Sequence, residues 1–252
     1  MFRDLQSKSP NCVRTTVRVD LKHAATLARE MDEKAQRKPT DEAVPKTLNL
    51  TAVVFHESRC GSTLVANTLI GMNPKRHRVY SESPPPIAAL KACGENYERC
   101  SIDQGAQMLQ DVLYLMARSK DPNEERVFFK IQSIGSRHIE VFRHAFPETP
   151  WLFVYREPVQ VMMSHLANGY KTANCLRQSN HPPKITKDIA KRQGYRRTSQ
   201  LSPEMFCAAH LASITESAWH NLQQSPVGIA LNYENLPDAL YETILPRCLG
   251  VE

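Results

Sequence analysis

The feature that most constrains this chain is a change of pattern at Leu48. From there to the end, short apolar runs alternate with stretches of helical periodicity. Leu50-Thr51-Ala52-Val53-Val54-Phe55 is continuous in hydrophobic and β-branched residues, as expected of a parallel strand buried on both faces. His56 to Gly61 is a polar turn. Ser62 to Met72 then places Leu64, Val65, Thr68 and Leu69 at helical spacing. The alternation continues with a helix over about Ser101–Ser119 and a strand over Val127–Ile131. Next come helix Ser136–Phe146, strand Trp151–Tyr155 and helix Pro158–Ala167. Helix Pro203–Gln224, strand Val227–Leu231 and helix Pro237–Leu249 complete the series. Such a pattern predicts an α/β fold with a mostly parallel central sheet flanked by helices. Three prolines in Tyr80-Ser81-Glu82-Ser83-Pro84-Pro85-Pro86 predict a stiff, non-helical loop.

Two segments stand apart from this pattern. Residues 1–45 read as an N-terminal helical appendage to a domain spanning 46–252. Its helix, Asp20–Gln36, carries Leu21, Ala24, Ala25, Leu27, Ala28 and Met31 on one side and stops at Lys38-Pro39; Pro45 marks a linker. Residues 171–200 read as a basic insertion, a loop or mobile segment interrupted by Pro182-Pro183. They hold eight Lys and Arg against Asp188, a net +7, so the whole-chain charge of +6 leaves the remainder at −1. A basic patch invites a nucleic-acid reading, but only Tyr170 and Tyr195 interleave with it, and stacking would be poor. No nucleic-acid partner is expected. The patch could close over an anionic nucleotide, recruit an acidic acceptor, or stand as a solvated loop.

The length of 252 residues suits one α/β domain or two small ones. No apolar run approaches the roughly 18–20 residues of a membrane span, and Met1 to Asp20 has no continuous apolar stretch of the kind a secretory signal needs. The seven cysteines include no CxxC pair, which argues against a structural zinc site. Free thiols in a reducing, cytoplasmic setting are the expectation. A Golgi-luminal setting is the alternative if the N-terminus is incomplete.

The turn His56-Glu57-Ser58-Arg59-Cys60-Gly61-Ser62-Thr63-Leu64 joins a strand to a helix, where backbone N–H groups face an anion. A glycine lets a ligand approach the backbone, two hydroxyls open the helix, and Arg59 adds a fixed charge. It is not a Walker A loop. His56 stands where that motif has its first Gly, and no Lys separates Gly61 from Ser62. Ser58-Arg59-Cys60-Gly61-Ser62-Thr63-Leu64 resembles the 5′-phosphosulfate loop of the sulfotransferase family, which uses 3′-phosphoadenosine 5′-phosphosulfate (PAPS) as sulfuryl donor. Ser58 stands for the family's Pro and Cys60 for its Ser. A second stretch, Phe153-Val154-Tyr155-Arg156-Glu157-Pro158 through Ser164-His165, resembles the family's 3′-phosphate element: a strand ending in Arg, a Pro two residues on, and a Ser eight residues on. A softer match, Leu231-Asn232-Tyr233-Glu234-Asn235-Leu236, is similar to a late strand whose Tyr lies near the adenine in relatives.

The resemblance implies a three-layer, P-loop-like fold and in-line transfer of a sulfuryl group from PAPS, as co-substrate, to a hydroxyl of a protein, carbohydrate or small molecule. Arg59, Cys60, Gly61, Ser62, Thr63 and Leu64 would hold the 5′-phosphosulfate, Arg156 and Ser164 the 3′-phosphate, and Tyr233 would lie near the base. The chemistry needs a proton acceptor, cations on the bridging oxygen and the transferring group, and alignment. No metal is expected. Arg59 is the first cation. Lys130, in the apolar run Phe128-Phe129-Lys130-Ile131, is the second, by similarity to tyrosylprotein sulfotransferases. Glu82 is the candidate base, by similarity to tyrosylprotein and related Golgi-type members; its basicity would have to come from burial, since Arg59 nearby would lower it. His77, in a solvated-looking Lys-Arg-His-Arg cluster, and His165 are rival bases. The family's Lys-Gly-rich C-terminal loop has no counterpart before Gly250-Val251-Glu252. Two other readings stay open: a non-catalytic nucleotide-binding or scaffold protein of the same fold, and a P-loop kinase or NTPase, which the missing Gly-Lys-Ser/Thr disfavours.

Overall fold

The structure, a computed structural model, describes residues 18–37, 44–167 and 169–251. Helix α1 (Leu21–Arg37) precedes strands β1 (Lys46–Thr47) and β2 (Asn49–His56). Helix α2 (Ser62–Met72), strand β3 (His77–Ser81) and helices α3 (Pro84–Leu90) and α4 (Ile102–Ala117) follow. Then come strands β4 (Arg118–Ser119) and β5 (Arg126–Lys130), helix α5 (Ile139–Ala145), strand β6 (Trp151–Tyr155) and helix α6 (Pro158–Leu166). Helices α7 (Lys184–Arg192) and α8 (Pro203–Gln223), strand β7 (Gly228–Asn232) and a π-helical segment Leu240–Cys248 complete the described chain.

Five strands form one parallel sheet in the order β3-β5-β2-β6-β7, while β1 and β4 make a separate antiparallel pair. Successive side chains of a strand point to opposite faces, and β2 uses both. Val53 and Phe55 pack with Leu90 of α3, Leu109 of α4, Phe142 of α5 and Ile214 of α8. Ala52 and Val54 pack with Val65 and Leu69 of α2 and with Leu240 and Leu245 of the C-terminal segment. Helix, sheet, helix is therefore the layering, and burial on both faces is why β2 reads as a continuous apolar run. Phe55 has no exposed surface and meets Phe142 and Trp151 edge-on at centroid distances of 5.6 and 6.0 Å. Truncating it to Ala would cost about 3–5 kcal/mol.

Four expectations change. The prolines do not make a loop: Pro84 and Pro85 open α3 behind Ser83. The first turn of a helix needs no intrahelical N–H, so proline's fixed φ and missing donor fit there. Residues 171–200 are folded rather than loose. Thr186, Ile189 and Ala190 of α7 are buried, α7 packs on α8, and Cys175 is bonded to Cys207 of α8. Alternating lysines had masked that apolar stripe. The cysteines are not all free: Cys93–Cys100 and Cys175–Cys207 are disulfides, and Cys60 and Cys248 are the free thiols among the described residues. The helix expected over Ser136–Phe146 begins as a 3-10 turn, Ser133–His138, before α5.

Helix α1 lies against α4. Asp32, 5% exposed, accepts from Arg118 Nη2 at 2.6 Å, Arg118 Nε at 2.8 Å and Tyr114 Oη at 2.6 Å, while Arg29 donates to Asp111 at 2.7 Å. The Lys38-Pro39 stop lies outside the described residues. Among them, no helix is long and apolar enough to cross a membrane.

Candidate functional site

Ligands of open parallel sheets bind beyond the carboxyl ends of the strands. All five strands of the sheet deliver a polar residue there. His56 ends β2 and Lys130 ends β5; Glu82, Arg156 and Tyr233 are the first residues beyond β3, β6 and β7. Chain connections leave this edge for opposite faces, α2 to one and α5 to the other.

The β2–α2 turn is built from left-handed residues: Ser58 at φ 77°, Arg59 at φ 55° and Gly61 at φ 82°. Ser58 and Arg59 carry a Cβ in a region that disfavours it, a strain met most often at functional sites. The turn is pinned to its surroundings. Glu57 N–H donates to Val154 O at 3.3 Å, Ser58 N–H to His56 Nδ1 at 3.0 Å, and Cys60 Sγ to Val154 O at 3.1 Å. Gly61 caps α2 with no side-chain acceptor, so no cap side chain occupies the positive end of the helix, where an anion is favoured. Ser62 is buried and Thr63 exposed beside them. Cys60 is fully buried, and that burial pushes its thiol up to about 11, so it is a packing group rather than a ligand-facing one. Leu64 is 46% exposed. A Cβ on Gly61 would lie 2.6 Å from the Tyr233 ring, so the glycine answers to its φ and to Tyr233.

Arg59 Nε donates to Ser164 Oγ of α6 at 2.8 Å, a contact between residues 105 apart in sequence. Arg156 does not meet Ser164. Its Nε donates to Gln160 Oε1 at 2.8 Å, and its guanidinium lies 4.3 Å from the centre of the Tyr233 ring. Ser164 thus pairs with the cation of the first motif rather than that of the second. Glu57, 2% exposed, ties the loops together: its Oε1 accepts from Arg156 N–H at 2.8 Å and its Oε2 from Thr215 Oγ1 at 3.2 Å. Burial pushes its carboxyl up to about 7. Glu157 caps α6 through Val159 and Gln160 N–H at 3.0 and 2.8 Å, and makes no ion pair with Arg156.

On the other side of β2, Lys130 Nζ donates to Glu82 Oε1, and Glu82 N–H donates to Lys130 O at 2.7 Å. The Lys130 side chain is 3% exposed and lies on an interior strand. Glu82 is left-handed at φ 55°. His56 Nε2 lies 3.5 Å from the same carboxylate oxygen. Because His56 Nδ1 accepts from Ser58, Nε2 carries the proton and faces Glu82. His56 and then Lys130, against an opposing effect of burial, hold the Glu82 carboxyl at about 2. The expectation of a base raised by burial is therefore corrected: Glu82 is half-exposed and is held in its ionised form by His56 and Lys130 while both stay in place. His56 is the residue the sequence reading missed. Its signal was a polar side chain closing an apolar strand run at the carboxyl edge.

Glu82 and His56 line a cleft of about 320 Å³ with Ser58, His165, Arg177 and His210. Burial keeps His165 and His210 neutral, His210 at about 3, with Arg59 and Arg137 respectively adding to the shift. His210 Nδ1 faces Arg137 Nη2 at 3.0 Å, so its Nε2 carries the proton and is no base. His77 is buried at the opposite end of β3, its Nδ1 2.7 Å from Leu69 O, and is not the solvated rival the sequence implied. Among the described residues no group of three His, Cys, Asp or Glu is arranged to hold a metal.

The chain matches no protein-family model and no curated protein sequence.

Proposed function

We propose that this chain is a sulfotransferase-like enzyme, moving a sulfuryl group from PAPS to an acceptor hydroxyl by in-line displacement. One observation carries the reading: the Arg59–Ser164 hydrogen bond joins two anion-type motifs 105 residues apart at the sheet edge that also bears Glu82 and Lys130. PAPS supplies the sulfuryl group and a phosphate leaving group. Arg59, Gly61, Ser62 and Thr63 bind the 5′ end, and Arg156 with Ser164 and Tyr233 binds the 3′-phosphate and the base. Glu82 takes the proton of the acceptor hydroxyl as its oxygen forms the new S–O bond. The S–O bond to the phosphate breaks, its electron pair leaving on the phosphate oxygen, where Arg59 and the α2 N-terminus meet the charge. Lys130 stabilises the transferring group once the acceptor loosens its pair with Glu82. The two disulfides favour an oxidising compartment, such as the Golgi lumen, over the cytoplasm.

Isothermal titration with adenosine 3′,5′-bisphosphate tests this. Binding is expected, and Arg156→Ala should weaken it about 10- to 100-fold, the loss of a charge-assisted contact. Absence of binding, or affinity indifferent to Arg156→Ala, ends the proposal.

A further inference from the structure

A second and larger cavity adjoins the cleft. It has a volume of about 610 Å³ and lies between the Cys93–Cys100 loop and the start of α7. Gln178 lines both cavities, so they are neighbours across one side chain. That side chain is fixed from behind, since its Oε1 accepts from Arg137 Nη1 at 2.8 Å.

The linings differ in chemistry. The cleft is polar: imidazoles, amides and hydroxyls, with Ile134 as its one large apolar residue and no aromatic ring other than the imidazoles. Its volume is near the lower bound of about 300 Å³ for small-molecule sites, which are as a rule mostly apolar. A phenol or a tyrosine side chain would find Ile134 as its one large aliphatic contact there, whereas a ring bearing several hydroxyls would find donors and acceptors on each side. The larger basin is basic. Lys91, Arg99, Lys184 and Lys187 line it, all exposed, and none has an ion-pair partner among the described residues. Two carboxylates, Glu95 and Glu98, also line it and accept from the backbone N–H groups of Lys184 and Asn96, so the four cations leave the basin at a net +2.

We infer that the acceptor is an acidic polysaccharide, with the hydroxyl-bearing sugar seated in the cleft beside Glu82 and the carboxylate or sulfate groups of its neighbours held in the basin by Lys91, Arg99, Lys184 and Lys187. This rests on the proposed function for the reaction, but the binding surface is independent of it. The basic segment thereby acquires a role: α7 presents its lysines to the acceptor, and the Cys175–Cys207 bond holds the wall that carries Arg177 and Gln178.

The test is calorimetric titration of the intact protein with three probes of matched length: an oligouronate, a neutral glucose oligosaccharide and an oligoglutamate peptide. The oligouronate should bind most tightly. Lys184→Glu with Lys187→Glu should weaken it about tenfold, since rim charges contribute modestly and in a salt-dependent way. Lys22→Glu with Lys34→Glu on α1, an equal change in net charge, should leave it unaltered. Equal affinity for the neutral oligosaccharide, tighter binding of the peptide, or equal loss in the α1 variant would overturn the inference. Titration of the same samples with adenosine 3′,5′-bisphosphate separates the two ideas. Nucleotide binding without oligouronate binding removes the acceptor assignment alone; oligouronate binding without nucleotide binding leaves the basin and removes the reaction.

Discussion

The two halves of the sheet edge handle charge in opposite ways. On the β6–β7 side, Arg59 bonds to a serine hydroxyl and Arg156 to an amide and an aromatic face. Neither arginine is neutralised by a carboxylate, and the buried acid between them, Glu57, is pushed toward its neutral form. On the β3–β5 side, Lys130, Glu82 and His56 form a compact set in which the carboxylate is matched by a lysine and an imidazole N–H. One half carries two arginines with no carboxylate partner among the described residues. The other is already paired through Lys130 and Glu82, and must exchange that partner before it can take a proton. Anion binding can therefore be preformed in the fold, while proton transfer depends on an arriving hydroxyl displacing a contact.

If the paired half performs the chemistry, Glu82→Gln should lower sulfuryl transfer by about 10³-fold, within the range for a lost general base, and leave bisphosphate affinity within about twofold. A variant that loses nucleotide affinity instead would merge the two halves. The next effect is on the wall of the cleft. Replacing both Cys175 and Cys207 by Ser should reduce stability by about 4 kcal/mol for a bridge closing a sequence separation of 32, read from urea unfolding. The Cys93–Cys100 pair, separated by 7, should cost only about 2 kcal/mol. Equal costs for the two pairs would contradict the loop-length argument. On the unpaired half, Arg59→Ala should weaken bisphosphate binding by about 2 kcal/mol, roughly 30-fold. Unchanged affinity would mean that Arg59 serves Ser164 and nothing else.

The smallest effect is a slope. Glu57 has a carboxyl raised from 4.5 to about 7 in the folded state. Between those values Glu57 binds more protons in the folded chain than in the unfolded one, so its own contribution to stability falls as pH rises, by at most about 1.4 kcal/mol per pH unit, against the opposite contribution of the buried imidazoles His138 and His210. Glu57→Gln should remove that contribution, read as the difference between the pH profiles of variant and wild type. A pH profile untouched by the substitution would show that Glu57 is ionised and better solvated than its burial implies.

Much of the scaffold was legible because strands buried on both faces must be apolar throughout, so β2, β5 and β6 announce themselves. Trp151–Tyr155 and Ser62–Met72 fall on their expected limits. Other elements were hidden by local rules read too broadly. Three prolines look like a loop until their position in the first turn of α3 is known. A lysine-rich stretch looks solvated until Ile189 and Ala190 find α8. β3 carries Arg78 and Tyr80, whose polar atoms reach Arg118 O and Met116 O at 2.9 Å each, and these disguise a strand.

For the site, the chain order of Arg59, Glu82, Lys130, Arg156 and Ser164 was readable, because strand-to-helix turns in a parallel sheet are obliged to end on one edge. Which of these residues touch was not. Ser164 pairs with Arg59 rather than Arg156 because of the path α6 takes from β6, and Glu82 meets Lys130 because β3 lies beside β5, an adjacency set by the crossover of the chain. Residue types determined by themselves a parallel α/β domain with arginine-bearing turns at the carboxyl edge. Tertiary structure alone decided which cations were left unpaired, which acid was neutralised, and that His56 belongs with Glu82. Pairing depends on distances between strands far apart in sequence, and burial depends on what covers them.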